Sequence, residues 1–268
     1  RDSTKAAERK EILEQLKDGS IHILIGTHAL IEENVVFSAL GLVITDEQHR
    51  FGVKQRQALE SKGKSPHVLI MTATPIPRTM ALSVYGDLDV SFIKGMPPGR
   101  HPVKTYVVGS HMLQRIFRFM KKEMESGHQA YVVCPLVEQS EKQDLAAAVS
   151  VYENLRDHVF PQFGVGLVHG RMKNAEKEQV MEDFRKGKFK LLVATSVIEV
   201  GVNVPDATVM FVYGADRFGL SQLHQLRGRV GRGKEQAYCV LYTDNQNETT
   251  QLRMKLMCEI RDGALLAE

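Results

Sequence analysis

The sequence predicts an α/β protein made of two parallel-sheet lobes, and three observations carry that prediction. Short apolar, β-branched runs alternate with helix-length amphipathic segments along almost the whole chain. The stretch KGMPPGRHPV, residues 94–103, packs three prolines and two glycines into ten positions and reads as a linker between the halves. Polar residues gather just beyond the strand-like runs, which is where parallel sheets bind their ligands.

The elements follow in order. Thr4 is placed to cap a helix over 5–17, with Gly19 just past its end. IHILI (21–25), GLVIT (41–45) and HVLIM (67–71) read as buried strands, with helices over 52–61 and 78–84 between and after them. Beyond the linker, strands are expected at 103–108, 130–136, 165–170, 190–195, 208–213 and 237–243. Helices are expected over 111–126, 143–157 and 174–186. The first carries Met112, Leu113, Ile116, Phe117 and Met120 on one stripe and stops at Gly127. The polar tail from Asn245 to Gly263 reads as a further helix.

Composition excludes several classes. At 268 residues, 43% hydrophobic and 25% charged, the chain is an ordinary globular one with room for two cores. A balance of 35 basic against 32 acidic residues gives +3, too weak to decide for or against nucleic acid, so only local patches can do so. Cys134, Cys239 and Cys258 are odd in number and far apart, without a C-x-x-C pair. This argues against a disulfide framework or structural zinc and fits a reducing cytoplasm. No apolar run reaches the roughly 18–20 residues that span a bilayer, and residues 1–18 do not form a signal peptide.

The chemistry-bearing residues sit at strand ends. Asp46 and Glu47 follow GLVIT directly; neighbouring carboxylates repel, and a cation between or beside them is expected. An acidic strand end can hold hydrated Mg²⁺ against phosphates while the next carboxylate activates water. It can equally be a helix N-cap followed by a first-turn acid. Thr72 and Thr74 point the same way in an extended segment and could reach the acidic pair, or could simply mark the turn before Pro75. Gly26, Thr27 and His28 suit phosphate contact or a plain turn. QLRGRVGRG, 225–233, sets Arg227, Arg229 and Arg232 among three glycines, a pattern suited to bidentate phosphate binding and open also to a solvated basic loop. VATSVIEVGVNVP, 193–205, carries Thr195, Glu199 and Gly201 after a strand, and VGLVHG ends in His169 and Gly170.

In order and spacing these segments resemble the motor core of superfamily 2 helicases: GTH at 26–28, DEQH at 46–49, TAT at 72–74, TSVIEVGVNVP, and Q-x-x-G-R-x-x-R at Gln225, Gly228, Arg229 and Arg232. The wording of DEQHRFGV, MTATPIPRT and RFGLSQLHQLRGRVGRG is similar to that of bacterial branched-DNA translocases, and transcription–repair coupling translocases share much of it. The resemblance implies two RecA-like lobes of the P-loop NTPase type, the first truncated at its N-terminus. It places the first lobe at 1–96, the second at 97–244 and the start of a helical translocation element at 245–268. It implies ATP and Mg²⁺ as cofactors, branched or forked DNA as partner, and a monomer in the bacterial cytoplasm.

Residue by residue, it gives Asp46 to Mg²⁺ and Glu47 to activation of the attacking water. Gln48 and His49 would link the nucleotide to Thr72 and Thr74. Arg229 and Arg232 would be arginine fingers, and Gln225 would orient water or phosphate. Glu199 and Gly201 would lie near the ribose. Thr27, His28, Thr72, Thr74, His169, Gly170 and Thr195 would touch the DNA backbone. One departure stands out: G-x-x-x-x-G-K-[ST] occurs nowhere in the 268 residues. The expectation is a motor fragment that by itself hydrolyses little ATP; a non-hydrolysing DNA-binding module stays open for it.

Overall fold

The computed structural model describes residues 6–47, 53–72, 89–91, 93, 95, 99–135, 141–195 and 204–267. The expected helix at 78–84 and residues Thr4, Gln48, His49, Thr74, Glu199 and Gly201 lie outside them. The chain divides into two compact units, Arg1–Thr74 and Pro75–Glu268.

The first unit holds helix α1 (Ala6–Asp18), a 3-10 turn (His28–Ile31), strand β1 (Leu42–Thr45), helix α2 (Val53–Glu60) and strand β2 (His67–Ile70). β1 and β2 pair in parallel, Leu42 opposite His67 through Thr45 opposite Ile70. Val43 and Thr45 point inward, while Leu42 and Ile44 are exposed. Lys62 ties the loop above to this unit by donating from Nζ to the carbonyls of Glu32 (2.7 Å) and Val35 (2.9 Å).

IHILI departs from expectation. Residues 21–26 form no strand, and Ile23 and Ile25 are 80% and 90% exposed. A strand needs a neighbour for its backbone groups. Among the described residues, β1 and β2 pair only with each other and neither takes this segment up.

Among the described residues the second unit forms a six-stranded parallel sheet in the order β3-β8-β7-β4-β6-β5. Its strands are β3 (Lys104–Val108), β4 (Gln129–Cys134), β5 (Val165–Val168), β6 (Leu191–Thr195), β7 (Ala207–Val212) and β8 (Tyr238–Tyr242). Every residue of β4, β6 and β7 is buried, as strands covered on both faces must be. The cover on one face comes from α3 (Leu113–Glu125), whose Met120 and Met124 enter a core with Val132, Val193 and Phe211, and from α4 (Glu141–Asn154), which runs on into a π-helical turn at Leu155–Val159. On the other face α5 (Asn174–Arg185) contributes Met181 and Phe184. Gln129 is the polar exception at the start of β4. Its amide donates to the carbonyls of Phe184 (2.7 Å) and Phe189 (3.1 Å), which offsets the cost of burying it.

Two elements refine the sequence reading. Residues Leu220–Arg227 form a helix, α6, where sequence alone indicated only an arginine-rich segment; Leu223 and Leu226 are its buried anchors. The tail is helical, as α7 (Glu248–Glu259) and α8 (Gly263–Ala267). Asn247 caps α7 by accepting the Thr249 N–H at 3.0 Å, and Met254 and Met257 bury in the same core as Leu223. Among the described residues no helix is long and apolar enough to cross a membrane.

Candidate functional site

In the first unit β1 ends at buried Thr45 and delivers Asp46 to the surface. Asp46 Oδ1 accepts the backbone N–H of Glu47 at 2.8 Å. Glu47 itself sits at φ +52°, the left-handed region that a Cβ disfavours. The parallel pairing runs one step beyond the strands, with the Met71 N–H donating to the Thr45 carbonyl at 2.8 Å. Thr72 follows β2 by two residues, as Glu47 follows β1. Thr27 precedes the 3-10 turn, its carbonyl accepting the Leu30 N–H at 3.0 Å; His28 is the first residue of that turn. One exposed carboxylate at a strand end suits Mg²⁺, which is held by one or two carboxylates together with phosphate oxygens.

In the second unit the predicted residues fall on opposite edges of the sheet. Val168 of β5 pairs with Ala194 of β6, so His169 and Thr195 follow level with each other at the carboxyl edge. Both hold a buried polar atom without a hydrogen-bond partner among the described residues: His169 Nδ1 and Thr195 Oγ1. Burial lowers the His169 pKa from its ordinary value, and the charges of Lys177 and Arg171 push the same way, against Glu176. Gly170 is exposed, with open space where a Cβ would stand, and its carbonyl accepts from Lys177 Nζ at 2.9 Å.

The arginine loop lies at the amino edge, because it leaves α6 and feeds β8. Arg229 and Arg232 are half-buried, and neither has a carboxylate partner among the described residues. Among the described residues Arg232 Nε reaches only the Gly228 carbonyl, at 3.4 Å. Burial depresses the Arg232 pKa, with the charges of Arg229 and Arg100 adding to it. Tyr131 on β4 lies within the same field; burial pushes its phenol up to about 12 against the opposing pull of Arg232 and Arg229. Gln225 lies on α6, half-buried. The glycines of the loop serve chain-on-chain packing. A Cβ on Gly233 would stand 2.7 Å from the Pro205 carbonyl oxygen, and one on Gly231, at φ +72°, would stand 3.1 Å from Val103.

Arg227, the first arginine of the segment, has a different job. It is buried, and its Nη1 donates to the carbonyls of Met257 (2.8 Å) and Ile260 (3.0 Å). Nη2 reaches the Arg261 carbonyl (3.1 Å) and His224 Nδ1 (2.9 Å). Arg227 therefore satisfies carbonyls where α7 ends. A Cβ on Gly263 would stand 2.7 Å from His224 Nε2, so the tail closes tightly on α6. Its neighbours are too distant in sequence for any local pattern to have flagged this.

Comparisons agree with this picture. The DEAD/DEAH box helicase family matches residues 2–82, and the helicase conserved C-terminal domain matches residues 111–234. The chain is 55% identical over 266 residues to the ATP-dependent DNA helicase RecG of Bacillus subtilis, covering 99% of this chain and 39% of the relative. It is 50% identical to RecG of Thermotoga maritima, covering 99% of this chain and 34% of the relative. A solved structure of RecG bound to a three-way DNA junction superposes with a TM-score of 0.82 at 45% identity, over 99% of this chain and 34% of that one. Saccharomyces cerevisiae Dbp5 bound to RNA and ADP BeF3 shares the fold, with a TM-score of 0.61 at 12% identity, over 86% of this chain and 61% of that one. The chain thus spans about two fifths or less of the length of these RecG relatives. On likeness along its whole length, in sequence and in its RecA-like parallel sheets, it belongs to the RecG family of superfamily 2 helicases.

Proposed function

We propose that this chain is part of the motor of an ATP-dependent helicase that remodels branched DNA, such as stalled forks and Holliday junctions, in repair and recombination. The observation that carries the reading is the arginine loop: two neighbouring, half-buried guanidinium groups without a carboxylate between them among the described residues. Such a pair is stabilised by a polyanion, and a triphosphate supplies one. The RecG relatives favour branched DNA over transcription–repair coupling as the task of the whole protein.

In this reading residues 1–96 belong to the first lobe, 97–244 to the second and 245–268 to the translocation element. Asp46 holds Mg²⁺, and its Oδ1 accepts the Glu47 N–H, which ties it to the backbone of the next residue. Glu47 orients the attacking water and takes its proton. Arg229 and Arg232 bind phosphate oxygens and stabilise charge that develops on them. Bound ATP with Mg²⁺ supplies the phosphoryl group whose transfer drives the motor. His49, Gln225, Glu199 and Gly201 complete the nucleotide site. Thr27, His28, Thr72, Thr74, His169, Gly170 and Thr195 contact DNA backbone; at the last, a buried hydroxyl without a partner is aligned with an imidazole nitrogen in the same condition.

The test uses the full-length protein and forked DNA. Glu47→Gln should keep nucleotide binding and lose DNA-stimulated ATP hydrolysis. A Glu47→Gln protein that still hydrolyses ATP normally would remove Glu47 from its role.

A further inference from the structure

Arg100 falls in the stretch that sequence alone marks as a linker, yet that stretch is laced to the arginine loop. Gln236 Nε2 donates both to the Pro102 carbonyl (2.8 Å) and to its neighbour's, Ala237 (3.0 Å). The Lys104 N–H donates to the Ala237 carbonyl at 3.0 Å, where β3 begins its pairing with β8. Gly231 is packed so closely on the other side that a Cβ there would meet Val103 at 3.1 Å and lie 3.9 Å from the His101 carbonyl oxygen. Residues 101–104 and 231–237 therefore run side by side, held at three points. Gly99, at φ +79°, turns the chain immediately before Arg100.

This lacing leaves Arg100 half-buried beside the loop, without a carboxylate partner among the described residues. Its charge acts on Arg232 in the same sense as that of Arg229. A linker arginine free of the fold would swing clear of two like charges; here the bonds of Pro102 and Lys104 keep the backbone that carries it beside the loop. Three guanidiniums carried by the two laced segments present up to fifteen N–H donors, by about five each, in planar forks suited to phosphate.

We propose that Arg100 is a third phosphate-binding guanidinium of the nucleotide site, its segment tied to the arginine loop by the bond from Gln236 to Pro102. The proposal rests on the reading that Arg229 and Arg232 act on ATP phosphates.

The experiment measures steady-state ATP hydrolysis by the full-length protein on forked DNA, for Arg100→Ala, Arg100→Lys and, as reference, Arg232→Ala. Arg100→Ala should lower kcat/KM for ATP by about 10- to 100-fold, the loss of one charge-assisted contact. The DNA concentration for half-maximal stimulation should not move, and Arg100→Lys should recover part of the loss. Should Arg100→Ala melt below the assay temperature, Arg100→Gln, which keeps most of the apolar stem, is read in its place. Normal ATP kinetics for Arg100→Ala beside an inactive Arg232→Ala would overturn the proposal and leave the nucleotide reading standing. A loss confined to DNA affinity would overturn it in favour of a nucleic-acid contact. Normal turnover in Arg232→Ala as well would take down both.

Discussion

Asp46 holds the backbone N–H of Glu47 at 2.8 Å while Glu47 stands at φ +52°. One carboxylate thus stabilises the unfavourable backbone of the next. A left-handed non-glycine residue costs roughly 1 kcal/mol or more, and such residues gather where function dictates geometry. Glu47→Gly is accordingly expected to leave thermal stability unchanged or raise it, by up to about 1 kcal/mol, while ending ATP turnover in the full-length protein. Thermal melts beside hydrolysis assays check both halves. A clear loss of stability would show that the conformation is not strained.

Arg227 is a structural residue at the head of the arginine loop. Replacing it with Ala strands three carbonyls at the end of α7 and opens the seat of His224. The expected cost is about 2–4 kcal/mol in urea denaturation. Arg227→Lys should recover little, because a single ammonium cannot reproduce the fork. Unchanged stability in Arg227→Ala would free this arginine for another role.

Thr195 gives the opposite trade. Its hydroxyl is buried and unpartnered among the described residues, so Thr195→Val should be neutral or stabilising by up to about 1 kcal/mol. If the hydroxyl meets DNA backbone, the same change should weaken forked-DNA binding of the full-length protein severalfold in fluorescence anisotropy. Undiminished affinity would remove Thr195 from the interface.

Acid should loosen the junction between α6 and the tail. The His224 pKa is lowered, chiefly by burial, then by the Arg227 charge, with Asp262 opposing. A base whose folded pKa lies below its unfolded value of 6.5 is bound by more protons when unfolded. Stability contributed by neutral His224 is therefore present above pH 6.5 and declines as pH falls through and below it. Denaturation midpoints between pH 7.5 and pH 5, as about two and a half units spanning the ordinary histidine range, should show a shallower slope in His224→Gln. An equal slope would place the acid sensitivity elsewhere.

Most of the large sheet was legible in the sequence because strands buried on both faces leave unbroken apolar runs, as at Leu191–Thr195 and Ala207–Val212. IHILI has the same composition but not the same fate, since pairing depends on a neighbour and composition does not report one. α6 was hard to read because it is only eight residues long: Leu220, Leu223 and Leu226 make a stripe too short to stand out before the glycine-rich loop. The position of Asp46–Glu47 and of His169 just past strand ends could be read from the apolar runs before them. What the loop glycines do could not. Gly231 and Gly233 admit Val103 and Pro205, partners that only the fold brings close. The bond from Gln236 to Pro102, which laces the segment after Arg100 to the loop, is hidden for the same reason, its partners being 134 residues apart along the chain.

The most direct test of the account is ATP hydrolysis by full-length protein carrying Arg232→Ala, measured with saturating forked DNA. An arginine that stabilises the transferring phosphoryl group should cost about 10³- to 10⁵-fold in turnover when removed, with nucleotide still bound. Turnover within a few-fold of the unaltered protein would contradict the claim that this unpaired guanidinium cluster exists to receive a triphosphate.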